Sequence, residues 1–143
     1  MQDNLMRALC LSTIFSGLFA VTPALAADPF CMKGDFEPFI ARYSREIAVQ
    51  EAATADPVMF ELLDMEAMAS EELTAREMPL SEIAWPVMPE LKSAEATGYV
   101  VEITAAAETA SVLIRGADNG ERVTWYFTRS PCWTLVRVRD DGM

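Results

Sequence analysis

The chain has 143 residues, a formal net charge of −11 and no histidine, and its length suits one domain. The acidity argues against nucleic acid and anionic lipid as partners, since both reward clustered Lys and Arg. The missing histidine excludes Ser-His-Asp and Cys-His nucleophile systems within the chain and removes the commonest ligand for zinc, copper and non-haem iron.

The amino terminus reads as a targeting segment. Met1 to Arg7 is a short polar stretch whose one side-chain cation is Arg7, with Asp3 as an atypical residue. Ala8 to Val21 is an apolar run, shorter than the roughly 20 residues that a bilayer span needs. Pro23 interrupts it, and Ala24-Leu25-Ala26 supplies a small-x-small cleavage site. Residues 1–26 are therefore expected to be a signal peptide, and 27–143 a single α+β domain. That domain would be exported, most simply to the periplasm, with no stable membrane anchor after cleavage. Processing would remove Cys10 and leave Cys31 and Cys132, one near each end of the domain. An oxidising compartment favours a disulfide between them; two separately buried thiols are the alternative. No Cys-x-x-Cys spacing supports redox catalysis.

Within the domain, Ala27 to Lys33 is an irregular lead-in. Asp35 is placed as an N-cap, after which Phe36, Phe39, Ile40, Tyr43 and Ile47 recur at helical spacing. Pro38 lies in the first turn, where its missing N–H costs nothing. The pattern predicts one helix to about Glu51 or Ala53, stopping before Asp56-Pro57, with Arg42 and Glu46 four apart on its polar side. Val58 to Leu63 fits either a strand or a second helix. Asp64 to Met78 is equally open: its Ala content favours helix, yet a hairpin of Met59–Leu63 with Leu73–Met78 can be drawn. Its methionines are soft core filler rather than copper ligands, since no second soft or imidazole ligand accompanies them. Leu80 to Trp85 reads as one helical turn capped by Ser81 and ended by Pro86 and Pro89.

From Thr97 the period changes to two. Tyr99, Val101 and Ile103 alternate with Val100, Glu102 and Thr104, a turn follows at Ala105–Glu108, and Ser111–Arg115 continues the β pattern. Asp118-Asn119-Gly120 is the strongest hairpin signal, because Asn-Gly accepts the positive φ angles of a tight turn. Val123, Trp125 and Phe127 share one face of the next strand; Ser130-Pro131 turns the chain, and Cys132–Val138 is the last strand. This gives four antiparallel strands in meander order, with 125–137 as the central hairpin. Alternation leaves open which face of that hairpin looks inward.

The remaining chemistry lies in carboxylates, tyrosines and arginines. Glu102, with Tyr99 or Tyr126, is the one candidate base and tyrosine combination, provided that Glu102 points into a concavity; an outward-facing strand residue is the simpler assignment. Arg115, Arg137 and Arg139 would form either an anion-accepting rim or a solvated strand face. No metal site, cofactor motif or phosphate-cradling loop is present in the pattern.

The motifs Phe36-x-x-Phe39-Ile40-x-Arg42-Tyr43-Ser44, then Gln50, Pro57-Val58-Met59-Phe60, and Val123-Thr124-Trp125-Tyr126-Phe127-x-Arg129-x-x-Cys132-Trp133-x-Leu135-Val136-Arg137-x-x-Asp140 together resemble an uncharacterised bacterial exported family. That family is placed with the nuclear transport factor 2-like, cone-shaped α+β superfamily. Pro131, where related sequences tend to have Gly, and Ala48-Val49, where they tend to have an aromatic, depart from the pattern. The resemblance implies a curved sheet wrapped around helices, a pocket at the open end and homodimerisation through the sheet. It is silent on function, because the superfamily holds isomerases, cyclases, dehydratases and non-enzymatic binding modules alike. Two expectations follow. The first is a non-catalytic domain for a small apolar ligand or an envelope protein; the second is a small isomerase, cyclase or hydratase using a pocket carboxylate and a tyrosine.

Overall fold

The structure is a computed structural model that describes residues 28–63 and 73–142. The expected signal peptide, and the part of the ambiguous stretch containing Met65 and Met68, lie outside the described residues. Helices precede a curved mixed sheet, in the order α1 (Phe36–Tyr43), α2 (Ile47–Ala52), β1 (Thr54–Leu63), β2 (Leu73–Met78), a 3₁₀ turn at Leu80–Glu82, α3 (Leu91–Ala96), β3 (Val100–Ala105), β4 (Thr109–Arg115), β5 (Arg122–Arg129) and β6 (Trp133–Asp140).

The first helical face is as expected: Phe36, Phe39, Ile40 and Tyr43 are all buried. The single long helix is not. The chain leaves α-geometry at Glu46 (φ −110°, ψ 106°) and restarts as α2. The break changes the phase of the apolar stripe. Ile47, which an unbroken helix would bury, is 47% exposed, whereas Val49 and Gln50 turn inward. Arg42 and Glu46 span the break as a two-pronged ion pair, with Nε to Oε1 at 3.0 Å and Nη2 to Oε2 at 2.8 Å. Asp35 occupies the cap position, but its carboxylate accepts no capping bond. Nor does Ser81 cap the next turn: Pro79 holds that position, and the turn is 3₁₀.

The open stretch resolves in favour of strands. β1 and β2 pair antiparallel from Val58↔Met78 to Leu63↔Leu73, which is the hairpin alternative, and β1 begins earlier than expected. Among the described residues the sheet therefore has six strands rather than four, in the order β2-β1-β6-β5-β4-β3. The four-strand meander is intact as β3 to β6, with β6 and β5 in the middle, and β1 joins β6 in parallel. Gly120 takes the positive φ (76°) that the Asn-Gly turn calls for.

Register and burial settle the facing. Val112, Ile114, Trp125, Phe127, Leu135 and Val138 are buried on the helix-covered side. Tyr126 pairs with Arg137 and Phe127 with Leu135, so Val136 is the extra residue of a β-bulge. The bulge lets Leu135 and Val138, three apart, both face the core. Phe36, Phe39, Tyr43, Phe127 and Trp133 form one aromatic cluster with ring centroids 4.9–6.4 Å apart. Tilted and edge-on pairs of this kind contribute about 0.5–1.5 kcal/mol each beyond area burial. Burial also pushes the Tyr43 phenol well above the ordinary tyrosine range, with its hydrogen bond to Thr54 opposing the shift.

The lead-in is tied to the corner between β5 and β6. Cys31 and Cys132 are joined by a disulfide. The Trp133 indole donates to Gly34 O at 2.8 Å, and Arg129 donates to Lys33 O at 3.0 Å while its guanidinium lies 5.3 Å from the Trp133 ring. The bridge closes a loop across a sequence separation of 101 residues, so it should remove much denatured-state entropy. We expect Cys31→Ser/Cys132→Ser to lower unfolding free energy by about 3 kcal/mol, read from the urea midpoint; an unchanged midpoint would contradict the staple.

Candidate functional site

The inward face of β4 and β5 extends past the edge of the aromatic core. There, Ile114, Val123 and Trp125 floor a cleft of ≈ 800 Å³. One wall is the segment Pro89–Glu90 and α3, which contributes Ala94, and the rim carries Tyr99, Glu121, Arg122 and Asp140. An apolar floor with a few polar groups at the mouth, in a cavity of this size, is the usual composition of a small-molecule site.

The wall depends on Gln50. Its side chain is fully buried and saturates three backbone groups at once: Nε2 donates to Met88 O at 2.9 Å, and Oε1 accepts from Val87 N (2.8 Å) and Met88 N (3.2 Å). The Trp125 indole grips the same segment from the sheet, donating to Val87 O at 3.0 Å. Behind Gln50, Thr54 Oγ1 donates to Gln50 O at 2.7 Å, and the Tyr43 hydroxyl lies 2.7 Å from Thr54 Oγ1. Since the one threonine proton is used on Gln50, the tyrosine is the donor.

At the rim, Tyr99 donates its hydroxyl to Glu121 Oε2, which also accepts from Asn119 Nδ2 at 3.0 Å. That hydrogen bond and the carboxylate charge hold the Tyr99 phenol above the ordinary tyrosine range, so it stays a neutral donor. Glu90 also lines the cleft and caps α3 by accepting the Ser93 N–H at 2.9 Å and the Ser93 hydroxyl. The hydroxyl bond is the main cause that holds the Glu90 carboxyl below the usual carboxylate range. Arg122 is engaged by Asp141 at 3.7 Å, and Asp141 also meets Arg139 at 3.4 Å.

The three residues singled out from sequence are not brought together. Tyr99 borders the cleft. Glu102 is exposed on the outer face of β3 and pairs with Arg115 at 3.1 Å, so it is not a pocket carboxylate. Tyr126 lies on the outer face of β5 beneath Arg137, whose guanidinium is 4.0 Å from the ring centroid. Arg137 meets Glu61 at 3.4 Å. Arg115, Arg137 and Arg139 therefore form a solvated outer face with carboxylate partners rather than an anion-accepting rim. The acid that does accompany Tyr99 is Glu121. Its signal was the Asn119-Gly120 turn, which carries the following residue back beside the start of β3. Among the described residues no group of three or more Cys, Asp or Glu is arranged to hold a metal ion.

Replacing Gln50 with Leu should leave the Val87 N–H, the Met88 N–H and the Met88 carbonyl without partners in a dry setting. An unsatisfied buried group costs about 1–3 kcal/mol, so Gln50→Leu is expected to lose at least about 3 kcal/mol in urea unfolding. A loss below about 1 kcal/mol would mean that the wall is held by other means.

No protein-family model and no curated protein matches the sequence. Among solved structures, the crystal structure of an NTF2-like protein from Bacteroides fragilis is similar, with a TM-score of 0.59 at 17% identity. The similarity covers 78% of this chain and 48% of that one. At that identity the likeness concerns architecture alone, and it agrees with the curved six-stranded sheet and its helical cover. The chain has the nuclear transport factor 2-like fold.

Proposed function

We propose that the protein is an exported, non-catalytic binding domain that takes a small, largely apolar molecule into the cleft above Trp125. The observation that carries this reading is the cleft itself: ≈ 800 Å³, floored by Ile114, Val123 and Trp125, and walled by a segment that Gln50 and Trp125 hold in place. A preformed wall lowers the ordering cost of binding, which favours affinity without new contacts. The disulfide supports an oxidising compartment. Homodimerisation through the outer sheet face remains the expected assembly, with Met59, Tyr126 and Val136 bordering a shallow depression there.

A second reading, a small isomerase, cyclase or hydratase, rests on one observation: a tyrosine and a carboxylate do meet in this cleft, as Tyr99 and Glu121. The pair is open to solvent, which leaves a proton acceptor there without the desolvation that tunes a catalytic carboxylate. Binding is therefore the better-supported role.

Filling the cleft tests the binding reading. Val123→Trp adds an indole to the floor from a strand position that already carries a β-branched residue. Affinity for a neutral apolar dye such as Nile red should fall at least about tenfold, or about 1.4 kcal/mol, while the melting temperature changes little. Equal dye binding by both proteins would remove the cleft from consideration. Export has its own measurement: the protein recovered from the envelope fraction should have an intact mass that begins at Ala27, and a mass retaining residues 1–26 would contradict processing.

A further inference from the structure

We infer that the cleft selects organic cations, molecules with an apolar body and an ammonium-type head. This inference rests on the binding reading above and names its ligand class. The floor offers hydrocarbon and part of the Trp125 indole, whereas the mouth offers carboxylates: Glu90, Glu121 and Asp140 all line it. Each has a carboxylate oxygen already committed within the protein. Glu90 Oε2 is bonded to Ser93, Glu121 Oε2 to Tyr99 and Asn119, and Asp140 Oδ1 to the Gly142 N–H at 3.2 Å. Those bonds fix the three headgroups in place. The other oxygen of Glu121 and of Asp140 accepts no hydrogen bond among the described residues.

Two cations stand near them, Lys92 beside Glu90 and Arg122, which faces Asp141 at 3.7 Å, so carboxylates still outnumber cations at the mouth. A ligand anion would meet an acidic mouth on a protein of net charge −11, whereas a cation is drawn in by both the local and the overall field. The Trp125 ring, mostly buried in the floor, serves the apolar body rather than the charged head. Neutral apolar molecules would still enter, since the floor does not depend on charge. Selectivity therefore appears as a difference between ligands that share a tail.

The test uses isothermal titration of the full mature protein with three molecules of one chain length: octyltrimethylammonium, octanol and octanoate, near neutral pH. The cation is expected to bind about tenfold more tightly than octanol, and octanoate more weakly than either. Raising the ionic strength should shrink the preference in the wild-type protein, since the carboxylates stand at a solvated mouth. In Glu90→Gln/Glu121→Gln the ratio of cation to octanol affinity should fall to about twofold. A cation no tighter than octanol, a preference for octanoate, or a preference that survives both salt and the double substitution overturns the cationic class while leaving the cleft reading in place. If none of the three binds, the cleft reading falls with it.

Discussion

A single buried amide holds the helical layer, the sheet and the cleft wall in one arrangement. Gln50 lies in the short helix α2, at a position where helical periodicity alone would suggest another apolar side chain. It is instead the partner of Val87 and Met88, a segment with little regular structure and two flanking prolines. A buried irregular segment is costly unless each of its N–H and C=O groups finds a partner. Primary amides suit that task, because they offer donor and acceptor side by side. Trp125 completes the grip from the sheet side, and Met88, fully buried, fills the space between. The aromatic floor of the cleft and its wall are thus joined by a hydrogen bond rather than by contact alone. Any change that loosens α2 is felt at the rim, because Pro89, Glu90 and α3 follow directly from the clamped residues.

The shape of the sheet follows from two irregularities on either side of β6. Towards β5 the extra residue is Val136; towards β1 the register shifts between Thr54 and Met59. Bulges increase local twist and bend the strand that carries them. One on β6 and one on β1, in neighbouring strands, curl the sheet around the helices instead of leaving it flat. The disulfide and the hydrogen bonds of Trp133 and Arg129 then close the cone at its narrow end, beside the aromatic cluster. The wide end is left to α3 and the rim residues. The same curvature that builds the core therefore leaves the concavity.

Much of this was legible in the chain because it is encoded locally. Alternation of Val123, Trp125 and Phe127, the Asn119-Gly120 turn and the Ser130-Pro131 corner report strand geometry within a few residues of themselves. The helical face of Phe36, Phe39, Ile40 and Tyr43 does so too. What escaped depends on distant partners. The parallel pairing of β1 with β6 joins residues about 80 apart, and no local pattern announces it. The break at Glu46 answers to the core, which needs Val49 and Gln50 inside, and tertiary packing overrode a helix that propensity alone would have continued. The segment Leu91–Ala96 has good helix-forming residues, yet it was passed over beside Pro86 and Pro89; Glu90, rather than a Ser, Thr or Asn, supplies its cap. Glu102 shows the limit of periodicity most directly. Alternation places it opposite Val101 and Ile103, but only the position of the helices decides which of those faces is the inside.

Once the inside is known, the charge distribution acquires a direction. Arg115, Arg137 and Arg139 all fall on the outer face, and each meets a carboxylate: Glu102, Glu61 and Asp141. Two of these, Arg115 with Glu102 and Arg137 with Glu61, are diagonal cross-strand pairs, which add modestly to sheet pairing. Glu90, Glu121 and Asp140 line the mouth of the cleft instead, where hydrogen bonds from Ser93, Tyr99, Asn119 and Gly142 orient them and Lys92 stands near Glu90. A donor from a neutral hydroxyl or amide stabilises a carboxylate and leaves its field in place, whereas an ion pair largely cancels it at a distance. The outer face is of the second kind and the mouth of the first. On the binding reading proposed above, these three carboxylates stand where a ligand would enter, with hydrocarbon beneath them.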